Sequence, residues 1–226
     1  MFPDKEIGWR GFDAYIFDLD GTLVDSLGQI ETSLNITRVN FGYEKTPKGL
    51  VFANLGLPIR ELFSDLEMSQ SMQDEFIDYF RTELAKQISF SNHLFAGAVD
   101  LIMLIRNCGI RVAIATSKPT YLANRVIQNS EIKGKIDFIQ GTDDFPPKPD
   151  PEVIHRCMAA LKSTNVIMIG DRKEDVLAAV AAEIPAVGIA QSAHSENFLI
   201  TSGAKLTFKS IGLLYESVKN SIATAP

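Results

Sequence analysis

Two aspartates follow an apolar run near the start of the chain, separated by a single residue. Asp18 and Asp20 come directly after residues 14–17 and precede Gly21 and a threonine. Four apolar residues before Asp-x-Asp-Gly-Thr predict a buried strand that opens into a loop at its carboxyl end, where open α/β sheets place their chemistry. Carboxylates this close repel each other unless a cation or a shared proton relieves them. A magnesium ion would neutralise them and would also bind a phosphate.

Three further groups of polar residues follow strand-like segments later in the chain. Thr116 and Ser117 come after residues 110–115, where their hydroxyls would suit an anion. Lys148 lies between two prolines that confine its backbone to extended conformations. Asp171 follows the predicted strand at 165–169, and Asp175 lies one turn into the next helix, on the same side as Asp171.

Each group also has an ordinary structural explanation. An Asp-Gly turn often follows a strand, a hydroxyl can cap a helix, a lysine in a rigid loop can be solvated, and acids near a helix N-terminus complement its dipole. A cap, however, explains only one of the two hydroxyls at Thr116 and Ser117. All four groups lie at or just beyond the carboxyl ends of predicted parallel strands, which share one edge in a right-handed βαβ arrangement.

The elements that must position these residues form an α/β fold. We predict a Rossmann-like parallel sheet core flanked by helices, with an inserted small all-helical cap domain. Residues 26–92 carry helical patterns, including apolar residues four apart from Met72 to Ile88, and are assigned to the cap. Residues 1–25 and 93–226 are assigned to the core. The last helix is expected to end near residue 219, with a frayed tail after it.

The four motifs, in their order, resemble the signature of the haloacid dehalogenase-like phosphatases. They read Asp-x-Asp-Gly-Thr, Thr-Ser, Lys-Pro-x-Pro and Gly-Asp-x-x-x-Asp. A helical cap inserted between the first two resembles the phosphoglycolate phosphatase and pyrophosphatase branch. The chain departs from the family at two positions that the resemblance makes structural. Ala96 stands where a proline is common, and Glu183 stands where a glycine is common.

The resemblance implies a role for each carboxylate in the first and last motifs. Asp18 corresponds to the nucleophile that takes the phosphoryl group as an aspartyl-phosphate. Asp20 corresponds to the acid that protonates the leaving oxygen and later deprotonates water. Mg²⁺ is the implied cofactor, with Asp18, the Asp20 carbonyl and Asp171 as its ligands.

The remaining motif residues are implied to bind the phosphate and balance its charge. Thr116 and the N–H of Ser117 would hold phosphoryl oxygens, and Lys148 would offset the charge on the nucleophile and the phosphate. Asp175 would orient Lys148 or a metal-bound water from outside the ligand set.

Arg60 is the conspicuous cation of the predicted cap, after a Gly-x-Pro turn at residues 56–58. In the context of the resemblance we expect it to reach an anionic or polar part of the substrate. The alternative is a solvated arginine paired with Glu61 or Asp65.

The predicted function is that of a magnesium-dependent phosphatase acting on a small soluble phosphate monoester, such as phosphoglycolate, a sugar phosphate or a nucleotide. A phosphomutase of the β-phosphoglucomutase type is the nearest alternative, because it would use the same aspartyl-phosphate. A non-catalytic phosphate-binding protein is a remote one, since such a protein would be expected to lose the nucleophile or a metal carboxylate.

Composition limits the partners and the compartment. The net charge of −6 argues against nucleic acid or an anionic membrane surface as a partner. The first nine residues lack the features of a signal peptide, and no apolar segment is long enough to span a bilayer. We therefore expect a cytoplasmic protein, a monomer or a homodimer, with Cys108 and Cys157 as inert core thiols.

Overall fold

The computed structural model describes residues 7–54, 59–90, 93–190 and 192–224, so the turn at residues 56–58 lies outside the described part. The strands are, in chain order, β1 (Ala14–Phe17), β2 (Val24–Asp25), β3 (His93–Leu94), β4 (Arg111–Ala115), β5 (Phe138–Gln140), β6 (Val166–Gly170), β7 (Ala186–Ile189) and β8 (Leu206–Phe208). The α-helices are α1 (Leu27–Asn40), α2 (Leu50–Asn54), α3 (Gln70–Phe90), α4 (Ala98–Asn107), α5 (Thr120–Gln128), α6 (Glu152–Leu161), α7 (Lys173–Ala181), α8 (Ala193–Thr201) and α9 (Ile211–Thr224). Short 3₁₀ helices occupy Trp9–Gly11 and Ile59–Phe63.

Six strands form one parallel sheet in the order β5-β4-β1-β6-β7-β8. β1 lies between β4 and β6, and its four residues are fully buried. A strand covered on both faces needs apolar side chains at every position, which is why β1 shows no alternation in the sequence. The predicted α/β class, a parallel sheet flanked by helices, is confirmed.

The two faces of the sheet bury two separate clusters of side chains. Tyr15 and Phe17 of β1 point to the cluster formed with α4, α5 and α9. Ala14 and Ile16 point to the cluster formed with α6, α7 and Leu199 of α8. Successive strand residues point to opposite faces, so this central strand is held by packing on both sides and gives the residue after it a fixed position.

Several predicted boundaries shift by a few residues. The strands expected at 110–115 and 165–169 are Arg111–Ala115 and Val166–Gly170. The prediction that the last helix ends near residue 219 is wrong, because α9 continues to Thr224 and Ile222 packs against the core.

Residues 26–92, which we call the cap segment, contain α1, α2 and α3. Leu34 of α1 and Phe76 and Phe80 of α3 are buried in their interface. The ring of Phe76 lies 5.1 Å from that of Phe63 and 5.2 Å from that of Phe41. These aromatics therefore form a core. The division of the chain into core and cap domains stays a proposal, and the antiparallel pair β2 and β3 lies at its two boundaries.

An ion pair between the buried Arg38 and the partly exposed Asp65 fixes the loop between α1 and α3. Arg38 donates from both terminal nitrogens to the two carboxylate oxygens of Asp65, each at 2.9 Å. These bonds hold the pKa of Asp65 below its ordinary value. The paired fork geometry is the strong form of this contact.

The two departures from the family pattern behave differently in the backbone. Glu183, where the family commonly has glycine, has φ of 58°, in the left-handed region that favours glycine. Gly97 has φ of 90°, and a Cβ there would lie 2.6 Å from the Cα of Gly212. The glycine that follows Ala96 is therefore required by the packing of α4 on α9.

The two cysteines are free thiols. Cys157 is buried as predicted, its Sγ donates to the carbonyl of Ile114 at 3.4 Å, and burial raises its pKa to about 12. Cys108 is only half-buried. In the part of the chain that is described, no helix combines the length and the apolar character needed to cross a membrane.

Candidate active site

The backbone places Asp18 and Asp20 at the carboxyl end of the central strand. The N–H of Asp18 donates to the carbonyl of Ile169 at 2.8 Å, so the sheet bonding reaches the aspartate itself. Gly21, one residue after Asp20, has φ of 93°, and a Cβ there would lie 2.5 Å from a carboxylate oxygen of Asp171. A glycine at this position lets the chain turn out of the sheet and lets Asp171 approach.

Lys148 lies buried between two carboxylates. Its Nζ donates to Asp18 Oδ1 at 2.6 Å, to the carbonyl of Ala115 at 3.0 Å, and to Asp175 Oδ1. Burial lowers the pKa of Lys148, but Asp175 and Asp18 more than offset this, so its pKa is raised above the ordinary value. The lysine is therefore charged at neutral pH.

The carboxylates of Asp18, Asp171 and Asp175 form a cluster. One oxygen from each lies within 4.8 Å of the others. Thr22 Oγ1 donates to Asp171 Oδ1 at 2.7 Å, and the N–H of Arg172 donates to Asp175 Oδ2 at 2.9 Å. These bonds fix the orientation of both carboxylates.

The electrostatics of this cluster fit a divalent cation. Burial raises the pKa of Asp18 to about 7 despite Lys148, and burial together with Asp18 and Asp175 raises that of Asp171 well above its ordinary value. Lys148 contacts two of the three carboxylates, so the cluster keeps excess negative charge. Oxygen ligands of this kind are those that Mg²⁺ prefers. A cation there would offset the burial and the mutual repulsion that raise both pKa values.

Asp20 has a different partner. Lys118 Nζ donates to Asp20 Oδ1 at 2.8 Å, and both side chains are buried. The carboxylate of Asp20 binds Lys118 and lies outside the cluster of Asp18, Asp171 and Asp175. The role of the Asp20 backbone carbonyl as a metal ligand stays a prediction. The sequence reasoning gave Lys118 no role. Its position directly after Thr116 and Ser117, at the end of β4, is the signal that could have drawn attention to it.

Thr116 and Ser117 lie where β4 ends. Thr116 Oγ1 accepts the N–H of Lys118 at 3.2 Å, and its own N–H donates to the carbonyl of Gln140 at 3.0 Å. The Oγ of Ser117 is buried and has no hydrogen-bond partner among the described residues. A buried hydroxyl without a partner is costly, so it favours a ligand that supplies one.

The alternative of a plain helix cap does not account for these hydroxyls. The N-cap residue of α5 is Pro119, whose side chain makes no capping hydrogen bond. The N–H of Thr120 is bound by Asp143 Oδ1 at 2.9 Å. The first turn of α5 is therefore capped from another loop.

A cavity between the cap segment and the sheet edge contains these groups. From the core it is lined by Asp18, Asp20, Thr116, Ser117, Lys118, Pro119 and Leu122. From the cap segment it is lined by Ile30, Asn54, Ile59, Leu62, Phe80, Arg81 and Leu84. The phosphate-binding candidates thus lie at one end of the cavity and mostly apolar side chains at the other.

Arg60 does not line this cavity. Its guanidinium is exposed and donates to Gln73 and, at 3.2 Å, to Asp74. These partners differ from the Glu61 and Asp65 of the alternative interpretation. A role for Arg60 toward substrate stays a prediction, which an Arg60→Ala variant with unchanged kcat/KM on the best substrate would contradict.

Asp171 lines a second cavity. Arg172 lines it, and its Nη2 donates to the carbonyl of Ala53 in α2 at 3.1 Å, joining the cap segment to the core. His194 also lines it, with its ring 4.6 Å from that of Phe198 in a T-shaped contact.

Comparison with known proteins identifies a family model, curated relatives and solved structures that are similar to this chain. The family model for haloacid dehalogenase-like hydrolases matches residues 15–189. A phosphoglycolate phosphatase of Colwellia psychrerythraea is 24% identical, over 92% of this chain and 97% of its own length. The tyrosine-protein kinase PtkA of Mycobacterium tuberculosis is 30% identical over 76% of this chain, and the match spans 60% of PtkA. The crystal structure of a predicted phosphatase from Clostridium acetobutylicum has a TM-score of 0.81 and 26% identity, over 92% of this chain and 99% of that one.

Proposed function

The chain belongs to the haloacid dehalogenase-like hydrolase family and is a phosphate-monoester hydrolase, and from this premise we propose a magnesium-dependent phosphatase of small soluble phosphate monoesters that works through an aspartyl-phosphate. The observation that carries the proposal is the surroundings of Asp18. Asp18 directly follows the central strand, accepts from Lys148 at 2.6 Å, and shares a carboxylate cluster with Asp171. The full-length similarity to a phosphoglycolate phosphatase supports the substrate class.

Magnesium fits the three-carboxylate cluster. Asp18 and Asp171 would hold the ion, together with the Asp20 carbonyl, and Asp175 would orient Lys148 beside it. When bound, the ion would neutralise the clustered carboxylates and withdraw charge from the phosphoryl oxygens.

Asp18 and Asp20 act in both half-reactions. Asp18 attacks phosphorus as the bond from phosphorus to the ester oxygen breaks, and Asp20 gives a proton to the leaving alkoxide. Asp20 then takes a proton from the water that attacks the phosphorus of the aspartyl-phosphate, which releases inorganic phosphate and restores Asp18. Lys118, 2.8 Å from Asp20, is a positioning residue for this acid and base.

Fixed donors around Asp18 stabilise the transferred group. Thr116 and Ser117 bind phosphoryl oxygens, and Ser117 has a buried hydroxyl available for this purpose. Lys148 offsets the negative charge that builds between Asp18 and the phosphate. Donors that need no reorganisation are the main source of rate enhancement in such a site.

The compartment and the oligomeric state are also part of the proposal. We propose that it acts on a small phosphorylated metabolite in the cytoplasm, as a monomer or a homodimer. Two free thiols support a reducing compartment.

A panel of phosphate esters with and without Mg²⁺ tests the function. We expect phosphate release from at least one of phosphoglycolate, hexose phosphates and nucleoside monophosphates. Excess chelator should abolish this release, and added Mg²⁺ should restore it, because the carboxylate cluster needs a cation. Undiminished release in chelator would contradict the proposed cofactor. Absence of release from every ester with Mg²⁺ present would support the non-catalytic alternative.

The same assay separates a phosphatase from a phosphomutase. With a hexose 1-phosphate and a hexose bisphosphate primer, the proposed phosphatase releases inorganic phosphate. Formation of the hexose 6-phosphate without phosphate release would establish the mutase alternative.

A further inference from the structure

Arg81 is a cation of the cap segment that lines the cavity of the candidate active site. It lies on α3, next to Phe80 and one turn before Leu84, and all three line the cavity that contains Asp18 and Ser117. Its side chain is about two-thirds buried, with 36% exposed. The helical pattern places it off the apolar stripe, so the sequence did not single it out.

The guanidinium of Arg81 has unused hydrogen-bonding capacity. Its Nε is buried and makes no hydrogen bond to any described residue. Its nearest carboxylate is that of Asp78, whose oxygen lies 3.8 Å from Nη1 and whose side chain is 81% exposed. Arg38 and Arg60 of the same cap segment both donate to side-chain oxygens. A buried donor without an acceptor is costly, so a ligand that supplies an anionic oxygen is favoured here.

The surroundings of Arg81 restrict the rest of that ligand. Apart from Arg81 and Asn54, the cap side of the cavity consists of Ile30, Ile59, Leu62, Phe80 and Leu84. An apolar lining offers few partners for the hydroxyls of a sugar, and each unpaired hydroxyl would lower affinity. The lining therefore favours a short apolar body between the phosphate ester and Arg81.

Arg81 also lines an adjoining groove with Asp78, Lys86 and Arg125, beside the ring of Tyr121. Lys86 is paired with Glu83 at 2.6 Å, so Arg81 is the cation of this groove that also reaches the cavity with Asp18.

We propose that Arg81 determines specificity by binding a second anionic group of the substrate, a carboxylate or a second phosphate carried on a short apolar body. The inference rests on the proposed phosphatase function. The planar guanidinium matches both groups, because either presents two oxygens to its paired N–H donors.

Matched substrate pairs test the proposal. In the carboxylate arm, kcat and KM are measured for phosphoglycolate and for ethyl phosphate, which lacks the carboxylate. In the phosphate arm, propane-1,3-diol bisphosphate is compared with propyl phosphate. Wild type, Arg81→Met and Arg81→Lys are assayed with Mg²⁺, with Lys45→Met as an exposed cation control from the same segment. Circular dichroism checks that each variant is folded.

We expect Arg81→Met to lose about 10- to 100-fold in kcat/KM on the substrate with the second anionic group, mainly through KM, since a charge-assisted hydrogen bond is removed. On the matched ester without that group, the loss in kcat/KM should stay below about threefold, which is within the range of an altered apolar contact. Arg81→Lys should fall between the two, because it keeps the charge and loses the fork. The arm that shows the selective loss identifies the anion.

Two results would overturn the inference. Equal losses on both members of each pair would show that Arg81 affects turnover without selecting an anion, while the activity of wild type on the simple esters would leave the phosphatase function intact. Inactivity of wild type on all four esters and on 4-nitrophenyl phosphate would remove the proposed function, and the inference with it.

Discussion

The Asp18→Asn variant is expected to lose turnover of any phosphate ester by about 10⁴-fold or more, the scale seen when a nucleophile is removed from a catalytic unit. An amide does not attack phosphorus, so no covalent intermediate can form. The substitution keeps the size of the side chain and an oxygen that can accept from Lys148. The fold should therefore survive, which separates loss of chemistry from loss of structure.

Turnover of 4-nitrophenyl phosphate with Mg²⁺ checks this expectation. This ester has a good leaving group and needs little help from Asp20, so the assay reports mainly on Asp18. Asp100→Asn, the same change at an exposed position in the first turn of α4, is the matched control and should keep wild-type turnover. Wild-type turnover by Asp18→Asn would exclude Asp18 as the nucleophile.

Replacing Lys148 with methionine is expected to destabilise the fold by about 3–5 kcal/mol, the cost of breaking a buried ion pair by removing one partner. The variant would leave Asp18 and Asp175 buried without the cation that both contact. Turnover should also fall steeply, because the same ammonium offsets charge on Asp18 during phosphoryl transfer. The free energy of unfolding, measured with urea, gives the first effect.

The Lys219–Glu216 pair supplies an exposed control. Its N–O distance is 3.7 Å and its side chains are 51% and 53% exposed, whereas the Lys148 side chain is 2% exposed. Exposed ion pairs contribute little to stability, so Lys219→Met should change the free energy of unfolding far less. Equal effects of the two substitutions would show that the burial of Lys148 between carboxylates does not contribute to stability.

The residues that meet at the sheet edge could be predicted from the sequence, because the sequence itself indicates where each strand ends. Residues at the carboxyl ends of parallel strands meet at one edge, so Asp18, Thr116 and Asp171 could be expected to lie together without any knowledge of side-chain packing. Lys148 could be included because it lies in a rigid loop beyond a strand of the same sheet. The structure adds its two carboxylate partners.

Contacts that depend on the reach of long side chains could not be anticipated. Lys118 meets Asp20 across 98 positions in the sequence, and only the distance between two strand ends decides that contact. The choice between Arg60 and Arg81 depends on how the cap segment is rotated over the sheet. No spacing along the chain encodes that rotation, and the structure brings Arg81 to the cavity.

Met72 shows how a helical pattern can mislead. It belongs to the predicted stripe with a spacing of four residues, yet it is 41% exposed. Residues four apart advance by about 40° around an α-helix at each step, so a stripe that spans several turns winds away from its partner. α3 has 21 residues and α1 has 14, and Met72 lies in the first turn of α3.

The aspartyl-phosphate is the central claim, and acid-quenched mass spectrometry of the Asp20→Asn variant tests it most directly. With 4-nitrophenyl phosphate the first half-reaction needs no strong acid, whereas the second lacks the base that activates water, so the intermediate should accumulate. We predict one phosphoryl group on the peptide that contains Asp18, removable by hydroxylamine. Release of nitrophenol with that peptide unmodified, or with the phosphoryl group on another residue, would contradict the account.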